Sequence, residues 1–177
     1  MSDLQQALLI SGGIFAVMVH SQYGTREFTR RKIAIPLLAI AGLGYVYLHA
    51  APIAMPDLIV YAAGATIGVL FGIAAAACTA IRRDANTGRI LTVSGIGFVA
   101  TWFVAMAVRI GFIWGVENID SFRNQFGAFM FEHSIDLSAI APFFVVMALA
   151  MVVVRVGTVS VRAATLPAPP VRQPTAA

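Results

Sequence analysis

The chain has 177 residues, of which 59% are hydrophobic and only 11% charged, with mean hydropathy +0.85. A water-soluble domain of this size carries about twice that share of charge, so a soluble enzyme, a disulfide-rich secreted scaffold and a disordered chain are all excluded. The formal net charge of +4 would suggest nucleic acid in a soluble protein, but here its distribution along the chain matters more than its sum.

A hydrocarbon core about 30 Å thick needs roughly 17–25 apolar residues in a helix. Five stretches meet this length: 4–20, 33–51, 58–81, 90–114 and 137–154. The first is short and is interrupted by Ser11, Gly12 and Gly13, so a four-span arrangement is the variant if 4–20 does not cross. Its start lacks the basic region of a signal peptide, and it is expected to stay in the mature chain. Pro36 falls in the first turn of the second stretch, where proline is tolerated. Asp136 stands where an N-cap would open the fifth. The predicted fold is therefore all-α, a polytopic transmembrane bundle covering residues 1–157.

Arg26, Arg30, Arg31 and Lys32 precede the second stretch, Arg82, Arg83 and Arg89 lie between the third and fourth, and Arg155, Arg162 and Arg172 follow the fifth. The other connections hold Asp3, Asp57, Glu117, Asp120, Glu132 and Asp136 against Arg123 alone. Cytoplasmic loops collect Lys and Arg, which predicts an N-terminus outside and a C-terminus inside. A bacterial inner membrane is the expected location. Residues 115–136 form an outer loop in which Phe122, Phe126 and Phe129 share one face of any helix, predicting a short helix in the interface or over the bundle mouth. Residues 158–177, with Pro167, Pro169, Pro170 and Pro174, are expected to form a disordered cytoplasmic tail.

Gly64, Gly68, Gly72 and Ala76 recur every four residues and make a groove of small side chains on the third stretch. Small residues let helices approach closely in lipid, so this is read as a helix-packing face. The partner is a span of the same chain, Gly42 and Gly44 or Gly95 and Gly97 being the plausible opposing faces, or else a second copy. Arg109 is the one ionisable residue well inside a stretch. It either snorkels outward to pair with Glu117 or Asp57, or contacts an anionic ligand.

His20 is placed at the inner end, and His49 and His133 at the outer one. The latter pair, with Asp57, Glu132 or Asp136, is the only place for a metal or haem edge, and no HxxxH or HxxE spacing supports it. No cofactor or metal is expected. Cys78, the single cysteine, is read as a small packing residue among alanines. Trp102 and Trp114 with Tyr45, Tyr47 and Tyr61 suit helix ends. No nucleotide-binding or hydrolase motif occurs, and no catalytic residues are assigned.

The basic run 26–32 before the Pro36 stretch, the glycine-spaced third stretch, the loop 82–89 and Arg109 after Trp102 resemble the CcdC-like family of small bacterial membrane proteins. That family takes its name from an association with cytochrome c biogenesis. The resemblance covers roughly residues 26–114 and implies no catalytic residues; one cysteine cannot cycle between dithiol and disulfide. The expectation is an accessory or scaffold protein and not an enzyme. Its partners are the bilayer and other membrane proteins or further copies of itself, and not nucleic acid. The alternative is a small transporter or channel subunit that recognises an anion through Arg109.

Overall fold

In a computed structural model the described residues are 51–84 and 87–167, the strand at 24–27 with Tyr23, and single positions between 12 and 49. They are mostly helical, and three helices are long and apolar enough to cross a membrane. Most of the two stretches predicted at 4–20 and 33–51, and the chain after residue 167, lie outside the described residues.

Helix α1 (Met55–Ala77) opens with Pro56 in its first turn, where the missing N–H would have no helical partner. The carbonyls of Ala74, Ala75 and Ala76 in its last turn all have partners. Cys78 N–H donates to Ala74 O, the Thr79 hydroxyl to Ala75 O at 2.9 Å, and Arg162 Nη1 to Ala76 O at 3.1 Å. These bonds satisfy acceptors that a helix ending next to lipid would otherwise leave orphaned.

The chain then turns into a β-hairpin, which corrects the all-α expectation. Strands β2 (Thr79–Arg83) and β3 (Ile90–Ser94) pair antiparallel, and β1 (Gly24–Glu27) adds to the other side of β3, giving the order β1-β3-β2. In the connecting turn Gly88 adopts φ +68°, a conformation few other residues adopt without strain. Its N–H donates to Asp84 O at 2.9 Å and its carbonyl accepts from Arg83 Nη1 at 3.2 Å. Predicted stretches three and four thus overran at 79–81 and 90–95. Thr79-Ala-Ile and Ile90-Leu-Thr-Val are apolar, and in such short runs hydropathy does not distinguish a strand from a helix end.

Helix α2 (Ile96–Asn118) follows, and after Ile119 alone the chain folds back as α3 (Asp120–Glu132). The 115–136 segment is therefore mostly helix. A 3-10 turn (Leu137–Ala139), capped by Asp136 Oδ1 accepting from Ser138 N–H at 2.8 Å, leads into α4 (Ile140–Ala164). Helix α4 runs well past residue 154, correcting both the end of the fifth stretch and the start of the tail. Its helical contact face continues through Val159 and Ala163, both buried, and the first proline stands only at Pro167.

Helices α1 and α4 run parallel and in register. Asp57 meets Asp136, and Gly64, Gly68 and Gly72 meet Phe143, Met147 and Met151, each pair 79 positions apart. A core of Ala75, Phe98, Trp102, Ala105, Met151 and Val152 joins α1, α2 and α4 near the sheet, with Leu37 packed against it. The outward faces of the three long helices carry exposed Ile59, Leu70, Ile73, Phe103, Val108 and Val153, surface that suits acyl chains and not water.

Candidate functional site

The small-residue face of α1 is occupied by α4. A Cβ on Gly64 would stand 2.8 Å from the Phe143 carbonyl oxygen, and one on Gly72 2.7 Å from that of Met151; one on Gly68 would collide with the Met147 carbonyl. The obstacles are backbone atoms, so the two helices can be this close only with hydrogen at these positions. Ala76 is buried next in line. The faces read as plausible partners lie elsewhere. Gly44 faces Leu149, Gly97 faces the Cys78 sulfur, and Gly42 and Gly95 have open space. α4, with its bulkier side chains, fills the groove, the backbone of Phe143, Met147 and Met151 lying against the three glycines.

The parallel seam is fastened at both ends. At one end Asp57, only 1% exposed, accepts from Asp136 N–H at 3.0 Å. The Asp136 carboxylate is itself held below its ordinary range by the side-chain and backbone hydrogen bonds at Ser138. Tyr61, beside them, donates to Pro52 O at 3.0 Å. At the other end Arg162 binds Ala76 O and Arg83 Nη2 donates to Leu166 O at 3.4 Å. Asp57 was read from sequence as a loop acid, a candidate partner of Arg109 or neighbour of His49 and His133, and not as the acceptor for Asp136. Its position directly after Pro56, in a first helical turn, was the available signal.

Arg109 stands over the Phe144 ring, 5.7 Å from its centroid, a cation–π contact. Phe144 belongs to an aromatic cluster in which Phe112 makes edge contacts with Phe122, Phe126 and Phe144 at 5.8, 5.0 and 5.6 Å. Phe122 also covers Gly115. This cluster fastens α3 across the end of α2, while Phe129 lies 4.4 Å from the His133 ring.

A second arginine, Arg155, was placed by sequence beyond the last span but lies within α4. Its guanidinium covers Phe98 at 4.3 Å and approaches Ser94 Oγ at 3.5 Å. The helical spacing of Met151, Val152, Arg155 and Val159 would have extended the span to include it. Trp102, read as suiting a helix end, is instead buried against Phe98. Cys78 is exposed. His49 contacts Tyr45, and His133 Nδ1 lies 2.9 Å from Phe129 O. Among the described residues no group of three His, Cys, Asp or Glu side chains stands close enough to hold a metal.

Charge separates by end. Asp57, Glu117, Asp120, Glu132 and Asp136 gather with Arg123 at the α3 end. Arg26, Arg82, Arg83, Arg89, Arg155 and Arg162 gather at the sheet end with Glu27 and Asp84. His20 belongs to the sheet end, where its carbonyl accepts from Arg26 at 3.2 Å. No family model, curated protein or solved structure matches this chain.

Proposed function

We propose that this chain is a multi-pass protein of a bacterial inner membrane that serves as an accessory or scaffold for a membrane process, as its resemblance to the CcdC-like family suggests. The observation that carries the reading is the use made of the polar side chains around the spans. Asp57 and Arg162 each bind a backbone group that holds one helix end to another, Arg83 ties strand β2 to the chain just past α4, and Arg109 rests on an aromatic ring in a packed cluster. Side chains committed to holding helices together build a rigid platform; a transport pathway instead needs polar groups turned to a water-filled route.

Five spans are part of the proposal. The separation of Glu27 in the sheet from Met55 at the opposite end of the bundle supports a crossing at 33–51, and the length and apolar character of 4–20 support the fifth. The positive-inside rule then puts the sheet end in the cytoplasm and α3 outside.

Anion flux into liposomes containing the purified protein tests the platform against transport. Flux should stay at the level of empty liposomes for the native chain and for Arg109→Gln, while Arg109→Gln lowers the melting temperature through loss of the Phe144 contact. Anion flux above that level that Arg109→Gln abolishes would overturn the proposal in favour of a transporter subunit.

A further inference from the structure

The sheet is attached to the bundle by two joints of one residue each. Cys78 alone separates α1 from β2, and Gly95 alone separates β3 from α2. With α1 and α2 across the bilayer, the row Gly24–Ser94–Thr79 is held where hydrocarbon gives way to headgroups. At about 3.3 Å per residue, the rest of the sheet lies within roughly 13 Å of it. Arg155, 79 positions after Ala76 in the register of the helix pair, is level with the last turn of α1.

The strand register sorts the side chains between two faces. Thr79, Ser94 and Arg83 share the face that meets α4, through Arg155 and Leu166. Ala80 and Val93, then Arg82, Leu91 and Glu27, share the other. On that outward side Arg82 is exposed, and Arg89, 64% exposed, pairs with Glu27 at 2.7 Å. Arg26, paired with Thr92 on the edge strand β1, lies on the opposite face.

We propose that this outward sheet face binds the phosphate headgroups of anionic phospholipids in the surrounding bilayer. Arg82 and Arg89 are the principal contacts, with Leu91 beside both and Val93 one row nearer the joints. A guanidinium matches a phosphate with two parallel hydrogen bonds, and a cation held near the surface attracts anionic lipid. The one-residue joints keep these groups within reach of headgroups. The inference rests on the membrane-spanning reading alone, and neither the scaffold role nor the orientation enters it.

Native mass spectrometry of the full chain, released in mild detergent with equal amounts of phosphatidylglycerol and phosphatidylcholine of matched acyl chains, provides the test. Phosphatidylglycerol should be retained in preference. Arg82→Gln with Arg89→Gln should reduce its retention about 25-fold, from about fivefold per cation. Lysine at both positions should restore most of it, and Arg123→Gln at the opposite end should change nothing. Equal retention of the two lipids by the native chain, or an unchanged preference in the double glutamine variant, would overturn the proposal. So would binding of a single-stranded RNA oligonucleotide that the glutamine variant loses while lipid retention stays the same.

Discussion

Asp57 shows how one carboxylate can fix the entry of a helix to which it does not belong. Asp136 N–H stands just ahead of the 3-10 turn that leads into α4, and it donates to Asp57 on α1. Removing the acceptor would lose a hydrogen bond made to a buried carboxylate, at about 1–3 kcal/mol. Asp57→Ala is expected to destabilise the bundle by that amount in an SDS-titration unfolding measurement. Asp57→Asn, which keeps an acceptor oxygen, should lose less than half as much. Equal losses for the two would show that Asp57 acts through its charge and not through this bond. The sequence marks Asp57 as an acid at a helix start but contains nothing local that names Asp136, 79 positions on, as its donor. Arg155 was hidden for the opposite reason. A cation among valines reads as the end of a span, whereas the Phe98 ring and Ser94 hydroxyl from other elements help make a place for it inside one.

Among the elements, the α1–α4 seam is the tightest contact, and its tolerance should follow the backbone geometry. Leucine at position 68 would meet the Met147 carbonyl and, at 2.9 Å, the Ala150 Cβ. Neither can move without unwinding α4, so Gly68→Leu should cost about 2–3 kcal/mol in the same SDS titration. Gly111→Leu is the control, because a side chain there meets open space; it should stay within about 0.5 kcal/mol of the native chain, as exposed substitutions usually do. A Gly68→Leu protein as stable as the Gly111→Leu one would show that the seam does not hold the fold. The stripe of small residues was legible from its four-residue spacing. Its partner was not, because α4 offers Phe143, Met147 and Met151, large side chains that no search for small-residue faces would select.

For the whole molecule, the segregation of charge and the direction of each helix lead to one topological expectation. On a Cys78→Ser background, Glu132→Cys in α3 should react with a membrane-impermeant maleimide in intact cells. Thr165→Cys, just past α4, should react only after permeabilisation. The reverse pattern would invert the proposed orientation, and labelling of both in intact cells would remove α4 from the membrane.

Composition and hydropathy by themselves set the class of this protein, five stretches of spanning length of which three are long apolar helices among the described residues, and the placement of most arginines at one end and most carboxylates at the other. These are properties of local segments, since transfer of a side chain from water to lipid depends on that side chain and its near neighbours. Folding in three dimensions decided that 79–94 is a hairpin completed by strand 24–27, that α4 extends to Ala164, and that α4 fills the glycine face of α1. Each of these depends on hydrogen bonds or packing between residues far apart in the chain, where a run of apolar residues has the same hydropathy whether it ends a helix or pairs as a strand.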